Sequence, residues 1–234
     1  MSEHSEQNRR AWDEVHGRRH ESHGNSLGMD DHLRARLGPL TGRRVLHLQC
    51  ATGETTAQLA DAGGQVTAVD ISAKALAIAT TLAPGATFVE SDVHDLPSDL
   101  RAGQFDLVVT EGGVLTWLHD LDTWASGIAA ALRSGGELVL AEEHPVAACI
   151  DAELRWTDDY FDESVIPHVG WAHFELTGDP AVEPKHERFW RLGQIVTALA
   201  GAGLRIEELD EFPGGWRGTD PRVPGAFVLR ATKP

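Results

Sequence analysis

Residues 44–60, RVLHLQCATGETTAQLA, restrict what this chain can fold into more than any other stretch. Val45, Leu46 and Leu48 are apolar and mostly branched, bounded by Thr41-Gly42 before and Thr52-Gly53 after. That pattern predicts a short buried strand, a tight turn and a helix starting near Glu54. A second apolar run, QVTAVD, ends in Asp70. Strand, small-residue turn, helix and a second strand closing on an acid is the order of the nucleotide-binding half of a doubly wound sheet. The turn lets a ligand approach the backbone, the helix start offers unpaired N–H groups, and the acid takes two ribose hydroxyls.

The regular alternation continues downstream. Ser72 is placed to cap a helix over SAKALAIATTLA, which Pro84-Gly85 ends. ATFVE reads as a third strand, with Ser91-Asp92 and the loop VHDLP behind it, and QFDLVVT as a fourth. After Gly112-Gly113 comes a helix with Leu121, Trp124, Ile128 and Leu132 at helical spacing, and then, past Ser134-Gly135-Gly136, the fifth strand ELVLAEE. Strands separated by helices imply right-handed crossovers and a mainly parallel sheet. A further helix is predicted over HERFWRLGQIVTALAGAG. LRIEELDEF and GAFVLRAT follow with no helix between them, so they are free to pair antiparallel.

Four segments result. Residues 1–38 are polar and helical in composition, with Trp12, Val15 and His16 on one side, and form a helical cover. Residues 39–145 are the cofactor-binding half. Residues 146–186 break the rhythm and carry too many aromatics for a linker, so they form an insertion that caps the acceptor side. Residues 187–234 complete the same domain. The fold class is therefore α/β, a doubly wound, seven-stranded, mainly parallel sheet with an antiparallel C-terminal strand.

Charge narrows the partners. Lys plus Arg total 20 against 36 Asp plus Glu, a formal charge of −16. That surface repels nucleic-acid backbones and anionic membranes. No apolar run approaches a spanning length and the N-terminus has no apolar signal core, so a cytoplasmic location is expected. The two cysteines, Cys50 and Cys149, are expected reduced and buried. His144, His168, His173 and His186 lack ligand spacing, and no metal is expected. The oligomeric state, monomer or homo-oligomer, stays open.

Over residues 40–232 the chain resembles the class I S-adenosylmethionine-dependent methyltransferases. VLHLQCATG is similar to that family's first motif, VTAVDIS to its second, FVESDVHDLP to its third, FDLVVT to its fourth strand and LRSGGELVLAEEHP to its fifth. The whole is most similar to small bacterial enzymes that methylate metabolites and share the HLQC variant. The usual acid-x-Gly-x-Gly-x-Gly is replaced by His47, Gln49, Ala51 and Gly53. The resemblance implies S-adenosylmethionine as cofactor and S-adenosylhomocysteine as product. It places His47, Gln49, Cys50, Ala51 and Gly53 in the cofactor loop, Asp70 on the ribose and Ile71 and Val93 on the adenine faces. It also puts Asp92, beside Ser91, on the adenine amino group and Glu111 and Gly112 at the methyl-transfer edge. Trp12 and Arg19 would belong to an N-terminal lid that grips the cofactor carboxylate.

The implied reaction is methyl transfer to the O, N or C atom of a small, aromatic or hydrophobic metabolite, by positioning and, where a proton must leave, a base. His144, after strand five and beside Glu142 and Glu143, is the first candidate base, with His20 and Tyr160 behind it. Trp117, Trp156, Tyr160, Trp171 and Phe174 are candidates to line the acceptor pocket. Two other readings compete. One is a nicotinamide-dependent oxidoreductase, whose Gly-x-Gly-x-x-Gly is missing here. The other is a protein that binds S-adenosylmethionine without transferring its methyl group.

Overall fold

The computed structural model describes residues 1–23, 28–171, 181–214 and 220–234, without the side chains of residues 17 and 19–23. Helices α1 (Glu3–His23) and α2 (Asp31–Arg34) precede the sheet. Asp30 caps α2, its side chain accepting from the N–H groups of His32 and Leu33. Then follow β1 (Arg44–Leu48), α3 (Glu54–Asp61), β2 (Gln65–Asp70), α4 (Ala73–Leu82), β3 (Thr87–Glu90), β4 (Phe105–Glu111), α5 (Leu121–Ala131) and β5 (Leu132–Glu143). Ser72 and Asp120 cap α4 and α5. A hairpin of β6 (Ile166–Val169) and β7 (Pro184–Glu187) stands apart, and α6 (Leu192–Gly201), β8 (Arg205–Pro213) and β9 (Pro224–Thr232) end the chain.

The main sheet has seven strands in the order β3-β2-β1-β4-β5-β9-β8. The strands from β3 to β5 run parallel, whereas β9 is antiparallel to both β5 and β8. β1 lies at the centre, with Val45 opposite Val66 on one side and Leu107 on the other. Its residues alternate between faces, so Leu46 and Leu48 pack with Trp124, Ile128 and Leu199 while Val45 packs with Leu33, Leu59 and Leu107. Strand order reverses between β1 and β4, which opens a crevice at their carboxyl ends. Among the described residues no helix is long and apolar enough to cross a membrane.

Three boundaries differ from the sequence expectation. The helix expected from His186 starts at Leu192, because His186 and Glu187 pair with β6 and the Arg188 N–H donates to the Thr116 carbonyl over 2.9 Å. β5 begins at Leu132 rather than after Gly136, since Leu132 pairs with Phe105 across a register irregularity. The insertion contains a β-hairpin that its prolines, Pro167 and Pro184, did not suggest.

Candidate active site

The crevice is built on the turn after β1. Gln49 and Ala51 both adopt left-handed backbone, with φ of 54° and 47°. Each L-residue there costs about 1–2 kcal/mol, so the surroundings must hold it. They do. The Ala51 N–H donates to Asp70 Oδ2 over 2.8 Å, Gln49 Nε2 donates to the Val114 carbonyl over 3.1 Å, and the Cys50 N–H bonds the Val69 carbonyl over 3.0 Å. Gly53, at φ 88°, starts α3. A Cβ on it would lie 2.7 Å from Ala79 Cβ and 2.9 Å from Ala79 Cα, so only glycine fits between the turn and α4.

Asp70 closes β2 at 7% exposure. Its Oδ1 accepts from the Ser72 N–H over 2.9 Å, as its Oδ2 does from Ala51, and with the Ile71 N–H also acting on it the carboxylate still has acceptor capacity for a further donor. Burial pushes its pKa up to about 6 against these N–H groups. One strand over, the Ser91 N–H bonds the Asp70 carbonyl and brings Asp92 alongside. Asp92 Oδ1 accepts from the His94 N–H at 3.0 Å and from His94 Nδ1 at 2.8 Å, while its Oδ2 is buried and makes no hydrogen bond of good geometry. Burial opposes ionisation of Asp92, but His94 and Ser5 overcome it and hold the carboxyl at about 2. Val93 is buried and Ile71 half-buried, flanking these acids.

Other expected loop residues play quieter parts. His47, at the usual place of the motif acid, is buried with Nδ1 2.8 Å from Thr56 Oγ1, and burial pushes its pKa down to about 4, so it stays neutral. Burial, helped by Asp70, pushes the Cys50 thiol well up, leaving it unreactive. Glu111 accepts from Thr55 Oγ1 over 2.9 Å and is raised by burial, and Gly112 follows it at φ 89°.

The segment 114–118 is a hub that sequence pattern did not reveal. Its main-chain groups bond, in order, Gln49 Nε2 at Val114, Glu142 Oε2 at Leu115 and the Arg188 N–H at Thr116. Asn8 Nδ2 at Trp117 and Trp190 Nε1 at Leu118 complete the set. Five neighbouring residues thus tie together the cofactor loop, the end of β5, α1 and the segment 188–190 that leads into α6. Glu142, accepting also from the Glu143 N–H, is pushed up to about 7 by burial.

α1 lies across the crevice. Asp13 accepts from Ser72 Oγ over 2.7 Å, and Asn8 bonds both the N–H and the carbonyl of His186. Trp12 joins Trp117 and Trp171, with ring centroids 5.0 and 4.5 Å from its own. Trp156 is 63% exposed and Tyr160 packs on Phe161, so these two do not join that cluster. Tyr160 lines a separate hollow with Trp190 and Arg191. Phe174 and His173 and the side chains of Arg19 and His20 lie outside the described residues. At the start of α1, His4 meets His119 and His186, and His119 meets His94, with the His94 and His119 centroids 3.9 Å apart. Burial and neighbouring imidazoles lower the pKa of His119 and His186.

His144 is buried at the end of β5, with β1 and β4 between it and β2. Its Nδ1 accepts from the Val146 N–H over 3.2 Å, which leaves the proton of the neutral ring on Nε2. Nε2 sits 2.8 Å from Glu211 Oε1, off the straight hydrogen-bond direction. The partner is thus Glu211 of β8, not Glu142 or Glu143. Burial lowers the pKa of His144 against the pull of Glu211. In this arrangement neither nitrogen of the neutral ring has a free lone pair.

The strand order, the antiparallel last pair and an acid closing β2 beside a left-handed turn define the Rossmann-like fold of class I S-adenosylmethionine-dependent methyltransferases. Residues 46–140 match the family model Methyltransf_11, described as a methyltransferase domain. It is 37% identical over 108 residues to an uncharacterized methyltransferase of Synechocystis sp., covering 44% of this chain and 48% of that one. It is 36% identical over 124 residues to a demethylmenaquinone methyltransferase of Beutenbergia cavernae, covering 50% and 49%. The chain spans about half the length of these curated relatives. The crystal structure of an S-adenosylmethionine-dependent methyltransferase from Mesorhizobium loti superposes with a TM-score of 0.64 at 26% identity, over 86% of this chain and 95% of that one.

Proposed function

We propose that the chain binds S-adenosylmethionine in the crevice beside Gly53 and transfers its methyl group to a small metabolite. One observation carries the reading: Asp70 and Asp92 stand side by side at the strand ends with acceptor capacity left over. Asp70 keeps acceptor capacity at the crevice, which suits the hydroxyls of a ribose. Asp92 Oδ2 makes no hydrogen bond of good geometry, though Ser5 stands near the carboxyl, so it keeps acceptor capacity for a donor such as an adenine amino group. Ile71 and Val93 supply the flat apolar faces for the base. The left-handed turn at Gln49–Gly53 brings the main chain close to the nucleoside without the glycine triad. The absence of that triad and the antiparallel last strands tell against a nicotinamide cofactor.

Asp70, Asp92 and the Gln49–Gly53 turn would hold the nucleoside, and the sulfonium would supply the methyl carbon for in-line displacement by an acceptor lone pair, the electrons of the carbon–sulfur bond remaining on sulfur. The protein's task is then alignment. The hub at 114–118 fixes the edge where this occurs, next to Glu111 and Gly112, and α1 excludes water from above. His144, tied to Val146 and Glu211, serves on this reading to hold the ends of β5 and β8 together. Any proton released by the acceptor leaves by another route, with Tyr160 and His20 still open as bases.

Incubating the purified chain with methyl-labelled S-adenosylmethionine and a metabolite extract tests this. Label is expected in the small-molecule fraction, and S-adenosylhomocysteine, not NADH, is expected to raise Tm. Stabilisation by NADH alone would favour the oxidoreductase. Stabilisation by S-adenosylhomocysteine with no label transferred would favour a binding protein.

A further inference from the structure

We propose that Arg188 is an anion anchor for the acceptor, and that the acceptor carries a carboxylate. The proposal rests on the crevice reading above and names the substrate class for it.

Arg188 is an exception among the described residues. The other part-buried arginines meet carboxylates, as Arg36 does with Glu208 and Asp210 and Arg43 does with Glu137. Arg188, in a chain with 36 acids, has none against it, and its Nε is buried without a hydrogen-bond partner. A guanidinium in that position is costly unless a ligand completes it. Lys185 does not share the task, because it is paired with Glu187.

The geometry holds the guanidinium ready. Its central carbon lies 3.9 Å from the centre of the Trp190 ring, whose Nε1 is fixed on the Leu118 carbonyl. Stacking uses the flat face of the guanidinium and leaves the in-plane N–H donors at its edge, the fork that matches a carboxylate. The Arg188 main chain is bonded to Thr116, and Thr116 Oγ1 is also buried without a partner, so a neutral hydroxyl stands on the same turn. That turn is the hub which Gln49 joins to the cofactor loop two residues earlier, at Val114. A neutral acceptor would leave the guanidinium without a counter-charge. A carboxylate supplies the counter-charge and accepts from the N–H donors at the edge of the guanidinium fork. With a net charge of −16 on the chain, a cation without a carboxylate beside it also selects anions by position.

The test is calorimetric titration of the full chain, saturated with S-adenosylhomocysteine, with benzoate and phenylacetate and with their amides. At least one acid is expected to bind about tenfold tighter than its amide or better. Arg188→Leu should abolish that preference, and Arg188→Lys should keep part of it, because the charge survives without the fork. Both variants should bind S-adenosylhomocysteine within about twofold of wild type. Equal binding of acids and amides, or a preference unchanged in Arg188→Leu, overturns the anchor. Phenyl phosphate binding tighter than both acids overturns the carboxylate assignment. If Arg188→Leu does not fold, protection of Arg188 in wild type from phenylglyoxal, by acids and not by amides, makes the same decision. A folded wild type that does not bind S-adenosylhomocysteine fails at the earlier step and overturns the crevice reading, and the acceptor assignment with it.

Discussion

The main-chain N–H of Ala51 donates to Asp70 Oδ2 over 2.8 Å, so a left-handed residue in one loop orients the acid that closes the neighbouring strand. Because burial raises Asp70 to about 6, its charge, and with it the contact to the ribose, is lost on mild acidification. S-adenosylhomocysteine affinity should therefore fall as pH drops below about 6 and hold steady above 7. Asp70→Ala should weaken binding by about 1.5–3 kcal/mol and remove most of that pH dependence. A Kd unchanged in the variant would take Asp70 out of the binding site.

Gly53 tests the packing of the turn on α4. A Cβ there meets Ala79 at 2.7 Å, on backbone already at φ 88°. Gly53→Ala should cost about 2–3 kcal/mol, from strain and overpacking together. Adding Ala79→Gly should recover the overpacking part and leave the backbone part, as read from urea unfolding of the single and double variants. No recovery in the double variant would mean that the contact with Ala79 is not the source of the cost.

Asn8 decides whether α1 stays docked. It is buried, and its side chain satisfies both the N–H and the carbonyl of His186, at 2.6 and 2.9 Å. Asn8→Leu leaves those groups unpaired, at a cost of about 2–3 kcal/mol concentrated on the cover. Amide exchange should accelerate in α1 and β7 and stay unchanged in β1 and β4. Equal acceleration in the central strands would show that the cover is part of the cooperative core.

His47 sets one limb of the pH–stability curve. Its pKa falls from 6.5 in the unfolded chain to about 4 in the fold, so the unfolded state binds more protons between those values. Its contribution is fully present above 6.5 and is lost as pH falls toward 4, about 3 kcal/mol in all. Asp70 and Glu142 act the other way, since raised carboxyls favour the fold at low pH and lose that contribution as pH rises through about 6 and about 7. The His47 limb is isolated by subtracting the curve of His47→Gln from that of wild type. A difference flat from pH 4 to 6.5 would contradict a buried neutral imidazole.

The half of the fold that runs on local rules could be read from the residues. Val45, Leu46 and Leu48 are buried on both faces, as a central parallel strand demands, and Asp70 closes β2. Ser72, marked as a cap by its position before an apolar helix, does cap α4. Long-range contacts left no such trace. HERFWRL has helical composition, yet His186 and Glu187 pair with β6 and Trp190 turns its indole to Leu118. Trp171 is buried against Trp12 from the far end of the chain, while Trp156, a few turns away in the same insertion, faces solvent. Nothing in the spacing of aromatics separates those two cases. Arg188 likewise looks like any other surface arginine until its missing carboxylate is seen.

Calorimetric titration of the folded chain with S-adenosylhomocysteine addresses the crevice most directly. Binding with a stoichiometry of one, weakened in Asp70→Ala and untouched in His144→Ala, is the required result. No heat with either S-adenosylhomocysteine or S-adenosylmethionine, on protein whose unfolding transition is cooperative, would contradict it.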